Sequence, residues 1–445
     1  MAAELPQPLP RIPALEDILP AAHHHNTERG ILTDAITAAV SPLEARFDNV
    51  IKPLVGLENS QSGEKAVIAA LKYCALDPKV QHASEEAEEI WKAASAVVDR
   101  RVDLYNLVKS VGDRNESLDF EDEKVLARML MRYAECGYGV LEGNAIKTWL
   151  DTEEEIERLC TQFHRNIREY SGGLWLADDE LDGLEERYLD RHPPREEDEK
   201  RFFSDMRDAW TVESRAHNPE TRKKMMVSFS GKLSENVPLF KDVIQLRNEN
   251  ARRLGYKSHA ASRIPYRIAD CTEWIDDLLK KLLDSALPFA KRNFEKVPAK
   301  KREVVQAARP GEDGAEKLLP WDVFYYGRLV DQEEGPSNFD AIAEYFPLQN
   351  TVEAMLRLFS DCLQLRFEAL PGDVLHEATW SNDVHAWAVW DERPDHLGAF
   401  IGYLYADLLE RPGKYRGNQC VNLQPVSDVS MSLAVDLLLV SCYQK

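Results

Sequence analysis

The sequence predicts a mainly α-helical fold with a small β element near residues 384–405. The main observation is an apolar stripe from Trp274 to Leu287 that recurs at three- and four-residue steps, with charged residues on the opposite side. This spacing is typical of an amphipathic helix that buries one face in a core. The β element is predicted from two runs rich in aromatic and β-branched residues, 384–390 and 397–405, which a turn separates.

Helix ends support the same fold class. Asn218, Pro219 and Glu220 form a helix start, because Asn caps backbone N–H groups, Pro fits the first turn and an acid suits the positive end of the helix dipole. A second helix is predicted to run from Asn236 to a stop at Gly255. Helical periodicity also covers 84–111, 119–135 and 152–170, whereas loops are predicted at 191–197 and 309–314.

Composition limits the kinds of protein that this chain could be. At 445 residues it is too long for one ordinary core, so two or more lobes are expected. Its 44% hydrophobic and 30% charged residues fit a folded globular protein. A net charge of -22 argues against nucleic acid or an anionic membrane as partner, because phosphate binding needs a positive field. Short cationic or neutral peptides are compatible partners.

The cysteines and the N-terminus predict a cytoplasmic location. Seven cysteines without a C-x-x-C pair indicate reduced thiols rather than a disulfide framework. The first twenty residues are rich in proline and lack the apolar core of a signal peptide. The longest apolar stretch, 433–440, contains Asp436 and is too short to span a bilayer.

A partial metal motif lies at residues 376–380. His376 and Glu377 match the first two positions of H-E-x-x-H, in which two histidines one helical turn apart bind zinc and the glutamate acts as general base. The fifth position is Trp380, whose indole has no lone pair for a metal. The next histidine, His385, is nine residues further on. We therefore interpret His376 as a surface-loop histidine.

The other histidines supply no better ligand set. The triplet His23 to His25 is predicted to be a solvated loop, and His164, His217 and His259 each stand alone. Accordingly, no catalytic residue and no metal ligand is assigned in this chain, and no cofactor is expected. The substrate-binding residues stay unknown.

Several stretches, taken in order, resemble the thimet oligopeptidase family of zinc metallopeptidases, including its fungal cytosolic branch. They include an N-P-E-T-R helix start, a W-D-x-x-Y-Y signature, E-Y-F-P and W-x-x-D-V. The matching segments are 153–170, 172–176, 218–222, 246–256, 320–326, 344–347, 380–384, 413–419 and 421–424. The match weakens before residue 150, where only length and helical character agree.

The resemblance implies a two-lobed helical architecture and zinc-dependent hydrolysis of short peptides. In the family, H-E-x-x-H and a distal glutamate ligand follow the segment that ends here at Gln424 and Pro425. This chain continues instead with an apolar tail that resembles nothing in the family. The resemblance therefore implies that the second lobe is incomplete and that the family's catalytic residues have no counterparts here.

Four segments and three functional hypotheses follow. The segments are an N-terminal helical region (1–150), a helical lobe and channel wall (151–310), the start of a catalytic lobe (311–425) and the divergent tail (426–445).

The first hypothesis is an inactive family member. The second is an active cytosolic oligopeptidase whose C-terminal sequence is wrong here, and the third is a helical peptide-binding or scaffold protein. Uncovered apolar faces predict marginal stability, self-association or dependence on a partner, with the tail packed inward.

Overall fold

The computed structural model describes residues 7–308, 317–335, 342–376, 378–411, 413–415, 417–424 and 436–440. Contacts divide the chain into two compact units, one formed by Met1–Gly139 with Asp340–Lys445 and the other by Val140–Phe339. The division of the sequence into four segments stays a prediction.

The fold is mainly helical, as the sequence predicts. No helix among the described residues is long and apolar enough to cross a membrane. The helices are α1 (Leu15–Ala39), α2 (Lys52–Cys74), α3 (Pro78–Asp99), α4 (Val102–Asp113), α5 (Phe120–Glu135), α6 (Asn144–Glu169), α7 (Glu186–Leu189), α8 (Met206–Arg215), α9 (Pro219–Ser230), α10 (Asn236–Arg253), α11 (His259–Arg263), α12 (Thr272–Ala308), α13 (Val323–Glu334), α14 (Leu348–Leu363) and α15 (Gly372–Leu375). Short 3-10 and π turns lie between several of them.

The strands form two sheets. A small antiparallel pair lies in the second unit, and a five-stranded sheet of order β3-β4-β5-β7-β6 lies in the first. The strands are β1 (Leu174–Leu176), β2 (Arg201–Phe203), β3 (Leu365–Ala369), β4 (His385–Asp391), β5 (Phe400–Asp407), β6 (Gln419–Gln424) and β7 (Asp436–Val440).

The hairpin predicted from residues 384–405 is confirmed. Strands β4 and β5 pair antiparallel, with His385 opposite Ala406 and Val389 opposite Gly402. Gly398 adopts a left-handed φ of 79° in the turn and donates its N–H to the Asp391 carbonyl at 2.8 Å. A side chain at this position would be strained, so the turn favours glycine.

The predicted divergent tail contributes a strand to the sheet. Residues Asp436–Val440 pair parallel with β5 and antiparallel with β6, so β7 lies between two strands that precede it in the chain. That the apolar side chains of the tail pack inward stays a prediction. The rest of the tail, including residues 433 and 435, lies outside the described residues, as does the loop predicted at 309–314.

The core of the first unit lies between helices α1 to α3 and one face of the large sheet. Ile18 of α1, Ile68 and Leu71 of α2, and Tyr403 and Tyr405 of β5 are almost completely buried there. On β4, Ala386 and Ala388 are buried in this core and Trp390 packs against it, partly buried. Burial of this apolar surface favours folding by about 25 cal/mol for each Å² removed from water.

The second unit confirms the predicted helix ends. Asn218 accepts the Glu220 N–H at 3.0 Å and caps α9, while α10 ends before Gly255, whose φ is 88°. Helices α6 and α10 pack through Ile156, Leu159 and Val243.

The helix predicted around the stripe 274–287 is present as part of α12, but the predicted burial of its stripe is wrong. Leu279, Leu282 and Leu283 are exposed by 58%, 57% and 58%. Within the described chain, α12 packs chiefly through its C-terminal part, where Val297 and Lys301 are buried. The spacing thus identified the helix correctly, although this face has no covering element among the described residues.

Candidate functional site

The partial metal motif does not lie on a helix. Helix α15 ends at Leu375, and His376 follows it on the surface. Glu377 lies outside the described residues. Ala378 closes a turn by donating its N–H to the Leu375 carbonyl at 2.9 Å, and Trp380 lies in a bend. The helical i, i+4 geometry on which H-E-x-x-H depends is therefore not built by this segment.

Trp380 instead belongs to a buried charged cluster. Its indole Nε1–H donates to Asp407 Oδ2 at 2.8 Å, and both carboxylate oxygens of Asp407 accept from Arg411 at 2.6 Å. Lys414 Nζ lies 2.9 Å from Asp407 Oδ1. We call Asp407, Arg411, Lys414 and Trp380 the Asp407 cluster.

The Asp407 cluster connects the loop after β5 to helix α2. Arg411 donates to the Cys74 carbonyl at 2.7 Å, and the Tyr415 N–H donates to the Tyr73 carbonyl at 2.9 Å. Gln81 of α3 donates to the Gly413 carbonyl at 2.7 Å. Trp380, Gly413 and Tyr415 come from stretches that resemble the peptidase family, so these matching residues have a structural role here.

A second buried cluster joins two other family-like stretches. Arg222, of the N-P-E-T-R helix start, donates to Asp322 Oδ1 at 2.7 Å, although the residues are 100 positions apart. Lys301 donates to Asp322 Oδ2 at 2.8 Å. The Arg222 guanidinium also lies 4.3 Å from the ring centre of Tyr325. We call Arg222, Lys301 and Asp322 the Asp322 cluster.

Both carboxylates are held in the ionised form. Burial opposes ionisation of Asp322, but hydrogen bonds from Lys301, Arg222 and the Leu319 N–H outweigh it and lower its pKa. Burial likewise opposes ionisation of Asp407, and hydrogen bonds from Arg411, Trp380 and Lys414 lower its pKa. Each site places two cations around one anion.

The histidine triplet is part of helix α1, so its interpretation as a solvated loop is wrong. His24 is exposed and lies 3.4 Å from Glu28. His25 is buried, and its Nε2 lies 2.9 Å from Glu64 Oε2. These are two separate histidine–glutamate pairs rather than one convergent ligand set.

The structure places the single histidines apart from one another, as the sequence predicts. His164 and His385 are exposed, and His217 Nδ1 lies 3.1 Å from the Asp182 carboxylate on the surface. His259 is half-buried, and burial lowers its pKa.

His192 and Asp208 form a histidine–carboxylate pair that the sequence did not predict. His192 Nε2 lies 3.1 Å from Asp208, while its Nδ1 lies 2.9 Å from the Phe202 carbonyl. Tyr188 donates its hydroxyl to the same Asp208 carboxylate at 2.7 Å. Both ring nitrogens of His192 are therefore engaged by protein groups, which favours a structural role. A histidine within a predicted proline-rich loop gave no signal for this contact.

The family resemblance implies zinc, and the residues described here do not fit a zinc site. Among them, no group of three or more His, Cys, Asp or Glu side chains could hold a metal ion. Catalytic zinc sites commonly use three protein ligands and one open position. The donor set around Trp380 contains an indole N–H and two cations, which repel a metal ion.

Comparisons with known proteins identify the same family as the motifs. The model of peptidase family M3 matches residues 213–443. The chain is 25% identical to oligopeptidase PhomG' of Diaporthe leptostromiformis over 408 residues, which cover 87% of this chain and 33% of the relative. It is 23% identical to saccharolysin of Saccharomyces cerevisiae over 392 residues, covering 86% of this chain and 54% of the relative.

A plant relative gives a similar result. The chain is 25% identical to the probable thimet oligopeptidase of Arabidopsis thaliana over 406 residues, covering 88% of this chain and 53% of the relative. The chain thus spans between a third and about half the length of these curated relatives. Because the family model covers more than half of the 445 residues, this chain belongs to peptidase family M3.

Proposed function

We propose that these 445 residues form a non-catalytic member of peptidase family M3 that interacts with short peptides without hydrolysing them. The observation that carries the proposal is the residue chemistry of the described chain, in which no group of three or more His, Cys, Asp or Glu side chains could hold a metal ion. The partial motif at residues 376–380 supplies no such group, because Trp380 donates its N–H to buried Asp407. Without a metal-bound water, peptide hydrolysis lacks its nucleophile and its main electrostatic stabiliser.

The proposal also covers partners and location. Short peptides are proposed as ligands because the relatives are named oligopeptidases, and the net charge of -22 favours cationic or neutral peptides over nucleic acid. A cytoplasmic location is proposed from the seven scattered cysteines, which include no C-x-x-C pair.

The test uses the purified, tag-free 445-residue chain and a quenched fluorescent oligopeptide. We expect no chelator-sensitive turnover with added zinc, and less than one zinc per chain by elemental analysis after dialysis. Fluorescence anisotropy of labelled short peptides should report binding without cleavage. Turnover that a chelator abolishes would contradict the proposal, whereas a lack of binding would favour the scaffold hypothesis.

The variant Trp380→His is a sharper control because it completes H-E-x-x-H in the sequence. We expect it to bind no zinc and to remain inactive, since His376 follows the end of α15 and the segment to residue 380 contains a turn and a bend. Zinc binding by this variant would show that the segment can become helical and would overturn the geometric argument.

A second candidate function is peptide hydrolysis by a longer form of the protein. The observation in its favour is that the chain covers only 54% and 53% of saccharolysin and the plant relative. Transcript sequencing beyond the codon for Pro425 tests it. A reading frame that continues into H-E-x-x-H would support this candidate, and transcripts that all encode residues 426–445 would exclude it.

A further inference from the structure

The proline-rich segment before helix α1 lies against the first unit in an extended conformation. Residues 8–14 form neither helix nor strand, and Ala14 has a φ of -70° and a ψ of 159°, close to the values of a polyproline II helix. Among the described residues, the backbone of 8–13 makes no hydrogen bond to another backbone group, as is normal for this conformation. We call residues 7–14 the proline-rich strap.

Burial along the proline-rich strap repeats every three residues. The residues at positions 8, 11 and 14 are exposed, and the five others are buried or partly buried. A polyproline II helix has three residues per turn, so residues three apart lie on the same edge. The strap therefore turns two of its three edges toward the unit. One edge consists of Leu9 and Ile12, and the other consists of Gln7, Pro10 and Pro13.

Two kinds of contact hold the strap in its groove. Leu9 and Ile12 pack against the core that contains Ile18 and Tyr403. The Tyr403 side chain is only 1% exposed, and its hydroxyl donates to the Gln7 carbonyl at 2.7 Å. The apolar contacts select aliphatic side chains three residues apart, whereas the hydrogen bond to a carbonyl recognises the backbone of any sequence.

These contacts match a mode in which proteins recognise separate peptides. Proline restricts its own backbone, so a polyproline II segment loses little conformational freedom when it binds, and aromatic-lined grooves dock such segments through the P-x-x-P spacing. The strap has this spacing at Pro10 and Pro13, and Tyr403 supplies an aromatic donor. The groove therefore has the chemistry of a polyproline II binding site, and its occupant in this structure is the chain's own strap.

We propose that this groove binds proline-containing peptides in the polyproline II conformation, with aliphatic residues three apart, and that the strap occupies it as an internal competitor. This inference rests on the proposed function, because it assigns a site and a class to the short peptides that the chain binds. The strap is part of the same chain, so its effective concentration at the groove is high. A separate peptide therefore binds weakly until the strap is released.

The test uses variants of the full 445-residue chain and a labelled peptide with the sequence of residues 5–14, LPQPLPRIPA. The double variant Leu9→Asp with Ile12→Asp removes both apolar anchors of the strap and leaves the groove itself unchanged. Fluorescence anisotropy should show that the double variant binds the peptide at least about tenfold more tightly than the unmodified chain does.

The matched control is the double variant Pro8→Asp with Ala14→Asp, which adds the same charge at exposed positions of the strap. It should bind the peptide as weakly as the unmodified chain, because the strap stays in place. A peptide that carries aspartate at the positions of Leu9 and Ile12 should bind to none of these proteins.

Circular dichroism checks that the variants keep their helical content. Ile12→Ala is the milder variant if the double aspartate variant does not fold, and it should tighten peptide binding by a smaller factor. Equal affinities of the anchor variants and the unmodified chain, or binding of the aspartate-containing peptide, would overturn the proposed site.

The outcome separates this site from the proposed function. If the unmodified chain binds other short peptides but loss of the anchors gives no gain for the strap peptide, peptide binding stands and this site is wrong. If the anchor variants bind the strap peptide while the unmodified chain binds no peptide, the site stands and peptide binding by the unmodified chain is wrong.

Discussion

The Asp322 cluster and the Asp407 cluster contain the same types of charged residue but differ in the sequence separation between the carboxylate and its cations. Each surrounds one buried carboxylate with an arginine and a lysine. Asp322 is 100 residues from Arg222 and 21 from Lys301. Asp407 is only 4 residues from Arg411 and 7 from Lys414.

This difference separates two structural roles. The Asp322 cluster can form only when α9, α12 and the start of α13 come together, so its formation depends on tertiary packing. The cations of the Asp407 cluster lie on one loop with their anion, and its long-range contribution comes from Trp380 and from the Arg411 bond to the Cys74 carbonyl. The two clusters should therefore respond differently to removal of the anion.

The largest effect is expected from Asp322→Ala. It leaves Arg222 and Lys301 buried without their anion, and breaking a buried ion pair in this way costs about 3–5 kcal/mol. Urea unfolding followed by circular dichroism measures the free energy of unfolding. Asp331→Ala, on the exposed side of α13, is the control and should change it by less than about 0.5 kcal/mol. A small loss for Asp322→Ala would show that the cluster does not stabilise the unit.

Asp407→Ala should cost less, about 2–3 kcal/mol, because Arg411 and Lys414 lie within seven residues of Asp407 on one loop, so that a local rearrangement involves fewer elements than at Asp322. The same unfolding experiment applies, with the exposed Asp395→Ala as control. If Asp407→Ala were more damaging than Asp322→Ala, the distinction between local and long-range clusters would be wrong.

Acid should remove the contribution of both clusters. The folded-state pKa of each aspartate is lowered, so its contribution is present above the usual carboxyl pKa near ~4 and is lost as the pH falls through the folded value. We therefore expect the free energy of unfolding to fall below about pH 4. Asp322→Ala and Asp407→Ala should each show a shallower fall, and slopes equal to that of the unmodified chain would exclude this explanation.

Trp380→Phe tests one hydrogen bond within the Asp407 cluster. The ring is kept in part while the N–H donor to Asp407 is lost, so we expect a loss of about 1–2 kcal/mol. Trp387→Phe on neighbouring β4 is the control for loss of ring size. An equal loss in both variants would mean that packing, rather than the hydrogen bond, explains the effect.

The smallest effect is expected for Glu213→Gln. Glu213 is buried on α8 and makes no hydrogen bond or ion pair with other described residues, and burial raises its pKa. Its ionisation therefore opposes folding at pH 7, whereas below its unfolded pKa the opposition vanishes. Glu213→Gln should increase stability at pH 7 by at most about 1 kcal/mol, and less at pH 4. Glu154→Gln, at an exposed position in the middle of α6, is the control. A destabilised Glu213→Gln would contradict the interpretation.

The helix ends and the hairpin could be predicted from sequence because local chemistry determines them. Asn218 as cap, Gly255 as stop and the turn around Gly398 each act through a few neighbouring residues. Burial could not be predicted in the same way. The stripes of α10 and α12 have the same periodicity, yet Val243 is buried and Leu279 is exposed, since periodicity identifies a face but not its cover.

The candidate site could likewise be predicted from the sequence only in part. The mismatch at Trp380 could be recognised from the sequence, because indole is not a metal ligand. Its hydrogen bond to Asp407 could not, since 27 residues separate the two. The contact between His192 and Asp208 could not be predicted for the same reason. Strand β7 could not be predicted either, because it lies between β5 and β6, which both precede it in the chain.

The position of β7 has a consequence for the order of assembly during folding. Strands β3, β4 and β5 are sequential neighbours and can pair as soon as they exist. Strand β6 cannot join them directly, because β7 lies between β6 and β5 and follows both in the chain. Until β7 is available, the backbone groups of β6 that pair with it in the sheet are hydrogen-bonded to water instead. The last step in building the five-stranded sheet is therefore the insertion of β7, which supplies partners to β5 and β6 at the same time.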